Sequence, residues 1–254
     1  MQAKRGCLVI HGFLGSTDDV KPLVDHLAGI PGLAVKCPTL PGHGNNQNEL
    51  PRVTYHDWIG CAEMNLRELR KTCDKVSLVG FSMGGLIAVN LAVRHEIDRL
   101  ALLNTPVYVG NIRRIAFNVL EDLRRGDLAN LRRYRRGAAL RPPVRTLVRA
   151  LGNFLDLLRT TKGLFPMVAC PTFIGQSEKD DTVLPKSAGF IFRNISSKEK
   201  VHMRYPDSGH VILHEPDRDA TIADVTAFLT SADVLIKAAC PGSTDGQSYM
   251  SRLN

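Results

Sequence analysis

A serine hydroxyl acts as a nucleophile only when it is held clear of the backbone beside a base. The stretch Val76-Ser77-Leu78-Val79-Gly80-Phe81-Ser82-Met83-Gly84-Gly85 has the residue types for such a display. An apolar, β-branched run leads into it, and Leu86, Ile87, Val89, Asn90 and Leu91 lead out with no proline for twenty residues. A sharp strand-to-helix turn would lift Ser82 to its tip, and it would press the flanking backbone so close that Gly80 and Gly84 can carry no side chain. The glycine-x-serine-x-glycine pattern alone is weak, because average glycine usage gives one by accident in about one chain in ten of this length. Its flanks and its companions elsewhere in the chain give it weight.

A serine of this kind needs a histidine to take its proton and an acid to orient that histidine, each on a loop after a later strand. The loop Gln176 to Val183 follows an apolar run and carries Asp180 and Asp181, with Glu178 close by. Asp180 is the first choice of acid and Asp181 its rival. Of eight histidines, only His210 follows a strand-like run through a Ser-Gly turn. His202 sits inside a strand pattern, His214 lies at or past the end of the loop, His26 and His95 fall in helical stretches, and His56 is at a helix start. Asp207 reads as a turn former. Two backbone amides must also face the oxyanion that develops on a substrate carbonyl. The residue after the nucleophile, Met83, offers one, and Phe13 in the loop His11-Gly12-Phe13-Leu14-Gly15 offers the other.

Cys7 to Ile10, Leu33 to Cys37, Val76 to Val79, Leu100 to Leu103, Pro171 to Gly175 and Val201 to Tyr205 are short apolar or mixed runs bounded by Gly, Pro and Asp. Between them lie helical patterns, with Asp18 or Asp19 capping one through about Leu27 and Thr54 capping another through about Thr72. The helix after Ser82 ends near His95, and Asn45 to Arg52 reads as loop. Strands that are unbroken apolar runs alternating with helices predict a parallel sheet covered on both faces. From Asn111 to Lys162 only helical spacing remains: Ile112, Ile115, Ala116, Val119, Leu120 and Leu123, then Val144, Leu147, Val148, Leu151, Leu155 and Leu158. The expected organisation is a core of residues 1–105 and 167–235, a helical cap over 106–166, and a polar tail over 236–254. Such an insert would lie over the carboxyl ends of the strands, where parallel sheets keep their sites.

Net charge is +8, but Pro106 to Pro166 holds twelve Arg and one Lys against four acids, so the basic excess sits in the cap and the remainder is near neutral. A weak attraction to anionic surfaces or substrates is one use for the run Arg132-Arg133-Tyr134-Arg135-Arg136. A solvated helix face is the plainer one. Nucleic acid is not expected, since aromatic residues do not interleave these arginines beyond Tyr134. Six scattered cysteines form neither a disulfide framework nor a metal set, no dinucleotide-binding glycine motif occurs, and no cofactor or metal is expected. The N-terminal apolar run is too short for a signal peptide and no stretch reaches membrane-spanning length, so the expected location is the cytoplasm. Oligomeric state is left between monomer and dimer.

Five motifs in order, His11 to Gly15, Pro41-Gly42-His43-Gly44, Gly80 to Gly85, the Asp180 loop and Ser208-Gly209-His210, together resemble the α/β-hydrolase family over roughly residues 6–231. The likeness is in particular to small bacterial carboxylesterases and monoacylglycerol lipases with a three-helix cap. The resemblance implies a mostly parallel central sheet flanked by helices, with an inserted helical cap. It also implies a Ser82–His210–Asp180 triad, which favours Asp180 over Asp181, and an oxyanion hole from the Phe13 and Met83 amides. Phe13, Leu14 and Met83, with cap residues Ile112, Phe117 and Leu120, would line an acyl pocket. The implied substrate is a small ester of a short- to medium-chain acyl group, or a monoacylglycerol. The same triad also serves thioesters, amides and carbon–carbon bonds, and the fold has non-catalytic ligand-binding uses. The arginine-dense cap is where this chain departs from the family.

Overall fold

A computed structural model describes residues 4–110 and 144–230. Six strands, β1 (Arg5–Ile10), β2 (Leu33–Lys36), β3 (Lys75–Phe81), β4 (Leu100–Leu103), β5 (Thr172–Ser177) and β6 (Lys200–Tyr205), form one sheet in the order β2-β1-β3-β4-β5-β6. Every pairing is parallel, with Ile10 opposite Gly80, Phe81 opposite Leu103, Leu103 opposite Gly175 and Ser177 opposite Tyr205. The carboxyl ends of β1, β3, β4, β5 and β6 therefore lie side by side. The chain reverses its direction of travel across the sheet between β1 and β3, the crevice where parallel sheets bind ligands.

The apolar runs divide by parity. Leu8, Ile10, Leu78, Leu100, Leu102 and Ile174 face one hydrophobic layer, which is covered by α2 (Tyr55–Arg70), α3 (Met83–Ala92), α4 (Val144–Lys162) and α5 (Lys186–Asn194). Cys7, Val9, Val79, Phe81, Ala101, Leu103 and Phe173 face the other, covered by α1 (Lys21–Ala28) and α6 (Arg218–Thr230). Central strands buried on both faces read as continuous apolar sequence for this reason. The edge strands β2 and β6 are only half-buried along most of their length.

Some boundaries differ from the sequence reading. Ser16, not Asp18 or Asp19, is the cap at the start of the first helical segment: its hydroxyl accepts from the Asp18 amide, and the Asp19 carboxylate accepts from the Ser16 amide. A 3-10 turn over Thr17–Val20 precedes α1, which begins beside Pro22. Asn45 to Arg52, read as loop, lie in a 3-10 helix that spans Gly44–Arg52. Thr54 does cap α2, through a reciprocal pairing with Asp57. The helix after Ser82 stops at Ala92, three residues short of His95, and α5 has no counterpart in the sequence reading.

The second helical pattern of the 106–166 insert is α4. Its buried side is Ala150, Phe154, Leu157 and Thr161, while Leu151, Leu155 and Leu158 are half-buried and Val148 is 65% exposed. The inward face is thus turned relative to the one expected, because Phe154 stacks on Phe13 and Thr161 accepts from the Asn90 amide at 2.7 Å. The first pattern, with Ile112, Phe117 and Leu120, the arginine run and the 236–254 tail lie outside the described residues. Among the described residues no helix is long and apolar enough to cross a membrane.

Candidate active site

Ser82 occupies the turn between β3 and α3 with φ +52° and ψ −122°, and its amide donates to the Leu103 carbonyl at 2.8 Å. Positive φ on a residue with a Cβ is strained and persists only where the surroundings leave no alternative. Packing leaves none here. A Cβ on Gly80 would lie 2.5 Å from the Gly85 Cα, and one on Gly84 would lie 2.7 Å from the His11 carbonyl oxygen. The two glycines let α3 sit directly against β1 and β3, and the hydroxyl is left at the tip.

His210 follows β6 in an irregular segment and reaches both partners. Its Nε2 lies 3.0 Å from the Ser82 Oγ, and its Nδ1 lies 2.8 Å from the Asp180 Oδ2. Asp180 is buried in the loop after β5, and its second oxygen accepts from the Thr182 and Val183 amides at 2.9 and 2.8 Å. Two backbone donors on Oδ1 leave Oδ2 for the imidazole, so the carboxylate has one orientation. An Nδ1–H held by that carboxylate leaves Nε2 as the acceptor for the serine proton. Asp181 is exposed and turned away, with its carboxylate near the Thr182 hydroxyl. Asp207 is an exposed partner of Lys179, His202 lies within β6, and His214 bonds the Asp18 carbonyl at 2.9 Å. The acid loop is itself tied to the chain after β4, by Leu184 to Tyr108 at 2.9 Å and Gly110 to Thr182 at 2.8 Å.

The loop after β1 runs beside the serine: a Cβ on Gly12 would touch the Ser82 Cβ at 3.3 Å. Phe13 follows Gly12 in that loop, and Met83 follows Ser82 in the chain. Met83 is the first residue of α3, where N–H groups have no partner within the helix. Its side chain is fully buried in the core, and Phe13 and Leu14 are partly buried against the same layer.

Two buried histidines and two aromatic rings set the position of this loop. His11 is fully buried; its Nδ1 donates to the Gly12 carbonyl at 2.9 Å and its Nε2 accepts from the Leu40 amide at 3.0 Å. His43 donates from Nδ1 to the Pro41 carbonyl at 3.0 Å, an oxygen it shares with the Trp58 indole N–H at 3.1 Å, and its Nε2 has no partner among the described residues. Burial pushes both imidazoles down to about 4, with each histidine's approach to the other adding to the effect on His11. Both are neutral structural groups at pH 7. Phe13 stacks on Phe154 at 5.1 Å and meets Trp58 edge-on at 6.2 Å, so α4 and α2 both pack against this loop. The motif Pro41-Gly42-His43-Gly44 was the signal for His43; Phe154 carried none beyond its helical spacing.

Residues 7–225 match the Alpha/beta hydrolase family. The chain belongs to the alpha/beta hydrolase family. Among other members, the thermostable monoacylglycerol lipase of Bacillus sp. (strain H-257) is 30% identical over 228 residues, covering 85% of this chain and 87% of the lipase. The carboxylesterase of Bacillus subtilis (strain 168) is 25% identical over 239 residues, covering 90% of this chain and 94% of that enzyme. A solved alpha/beta structure of the metagenome-derived lipolytic enzymes LipS and LipT superposes with a TM-score of 0.72 at 25% identity, over 89% of this chain and 94% of that one. The likeness to these hydrolases spans nearly the whole sheet and its helices.

Proposed function

We propose that this alpha/beta hydrolase is a serine esterase acting on carboxylic esters, of short- to medium-chain acyl groups or of monoacylglycerols. The observation that carries the reading is the unbroken hydrogen-bonded chain from the Ser82 hydroxyl through His210 to Asp180, at 3.0 and 2.8 Å, on the ends of three strands. In this mechanism His210 Nε2 takes the serine proton as Oγ attacks the ester carbonyl. The Phe13 and Met83 amides receive the oxyanion, and in such a water-poor site each donor of this kind is worth about 10²–10³ in kcat. His210 then hands the proton to the departing alcohol. A water activated by the same imidazole releases the acid and restores Ser82. The reaction calls for no cofactor.

The substrate class is supported by the names of the Bacillus relatives, a monoacylglycerol lipase and a carboxylesterase. An acyl wall of Phe13, Leu14 and Met83 agrees with an apolar chain, and Phe154 now joins it; Ile112, Phe117 and Leu120 complete it in our reading. Free thiols at Cys7, Cys37, Cys61, Cys73 and Cys170 support a reducing location, the cytoplasm. Hydrolysis of p-nitrophenyl esters of two to twelve carbons and of 1-monoacylglycerols, against acyl-CoA thioesters and anilides, tests the substrate class. Ester turnover that vanishes in folded Ser82→Ala is expected; a preference for thioesters or amides overturns the ester reading.

A further inference from the structure

Three non-glycine residues among those described have positive φ: Leu14 at 57°, Ser82 at 52° and Asn104 at 44°. Each stands just beyond the carboxyl end of a strand, β1, β3 and β4. The first two belong to the oxyanion loop and the nucleophile turn. Asn104 has no part in the mechanism above, yet it is fully buried and is hydrogen-bonded through its backbone N–H and both ends of its side chain.

Its amide oxygen accepts from the Ser177 backbone N–H at 2.8 Å, at the end of the strand that leads to Asp180. Its amide nitrogen donates toward the His210 carbonyl at 2.8 Å, the Ser177 hydroxyl at 3.0 Å and the Gly209 carbonyl at 3.3 Å. Its own N–H donates to the Gly175 carbonyl at 2.9 Å. One short side chain thus joins the strand beside the nucleophile, the strand before the acid and the segment that carries the base. The opposite side of that segment is held by Glu215, whose carboxylate accepts from the Gly209 amide and, at 3.2 Å, from the Val211 amide. His210 lies in neither helix nor strand; the Lys179 and Asp217 amides hold Ser208 before it, and the bonds to the Gly209 amide and carbonyl, the His210 carbonyl and the Val211 amide come from these two side chains.

We propose that Asn104 is a positioning residue which, opposite Glu215, holds the His210 backbone where the imidazole can span Ser82 and Asp180. The assignment rests on the reading of those three residues as the triad. Asparagine suits the place for two reasons: it carries a donor and an acceptor on one short side chain, and it tolerates the left-handed conformation better than other residues with a Cβ. An aspartate would keep the acceptor for Ser177 but would turn an oxygen against two carbonyl oxygens. The misplacement of a reacting group by about 1 Å costs of the order of 10²-fold, so release of this segment acts on kcat and leaves ester binding nearly untouched.

The test uses the full chain with Asn104→Asp, with Asn104→Gly, which keeps the positive φ and deletes the amide, and with Glu215→Gln. Rates of p-nitrophenyl ester hydrolysis are normalised to folded protein by circular dichroism, and the low-field proton NMR signal of the His210 Nδ1–H is followed. The expected result is a fall in kcat of about 10–100-fold with KM within about threefold, and displacement or loss of the low-field signal. Wild-type kcat per folded molecule, or a change confined to KM, overturns the proposal. Unfolding of all three variants also counts against it, because the residues then serve the fold rather than the histidine. Ser82→Ala is assayed in parallel: if it retains turnover, the triad reading fails; if it is inactive while the Asn104 variants work normally, only the positioning role fails.

Discussion

Asp180→Asn is the substitution whose outcome the geometry constrains most tightly. Oδ1 accepts two backbone amides, from Thr182 and Val183, and Oδ2 faces the His210 Nδ1. Asparagine has one oxygen, and satisfying the two backbone donors turns its NH₂ toward the imidazole. Nδ1 must then accept, the ring proton moves to Nε2, and Nε2 can no longer take the proton from Ser82. The reverse orientation keeps the productive tautomer but sets the NH₂ against two N–H donors. Each buried group left unsatisfied costs ~1–3 kcal/mol, so this orientation is populated to about 3% or less. Loss of the negative charge opposite the imidazolium adds to the effect, as it does in serine proteases with the same change. We expect kcat to fall by about 10³–10⁴, equivalent to ~4–5.5 kcal/mol of barrier, with KM little changed. Steady-state hydrolysis of p-nitrophenyl acetate by folded protein measures it. Asp181→Asn, at an exposed carboxylate, should stay within about twofold. A loss below tenfold in Asp180→Asn, or equal losses in both variants, would mean that Asp180 does not orient His210.

The remaining predictions concern the scaffold around the site. His11 and His43 are held near 4 by burial, whereas in the unfolded chain they titrate at the ordinary 6.5. Their contribution to stability is full above about 6.5 and is lost as pH falls toward 4, by up to ~1.4 kcal/mol per pH unit for each histidine. Urea unfolding at pH 7, 6 and 5 should show a shallower decline for His43→Phe than for the wild type; parallel declines contradict the assignment. Gly84→Ala should not reach the native state in useful yield, since its methyl group would press on the carbonyls of Ile10 and His11, which belong to backbone and cannot rotate away. A soluble Gly84→Ala with wild-type melting would contradict the account of the turn. Thr54→Ala removes the hydroxyl half of the α2 cap and should cost ~1 kcal/mol, or a melting shift of about 2–4 °C; calorimetry decides.

The elements and the approach of Ser82, Asp180 and His210 were legible in the sequence because each has a local signature. Buried parallel strands are unbroken apolar runs, and the glycines at 80 and 84 mark a close approach that no other residue allows. Chain order then places the acid and the base on later strand ends. What stayed hidden depends on contacts between distant segments. Asn104 after Leu103 looks like any polar residue closing a strand, and only the fold brings it under Gly209 and His210. Glu215, five residues past His210, looks like surface charge, yet it turns back on the Val211 amide. The rotation of α4 is not legible in its sequence because the leucines dominate its pattern, whereas the stack of Phe154 on Phe13 and the bond of Thr161 to Asn90 select another face. α5 has no clear sequence signature because Lys186 to Asn194 is short and contains Gly189, so its two buried apolar positions, Ala188 and Ile191, make too brief a pattern. Residues 44–52 lack apolar periodicity and contain Pro51, which reads as loop although the backbone winds into a 3-10 helix.

If Ser82 is a nucleophile activated by His210, a fluorophosphonate will find it, and incubation of the full chain with that reagent, followed by intact-mass measurement and peptide mapping, reads the outcome. The expected result is one adduct per chain, located on Ser82, formed in step with the loss of esterase activity and suppressed in His210→Ala. An unlabelled Ser82 in protein that still hydrolyses esters would contradict it.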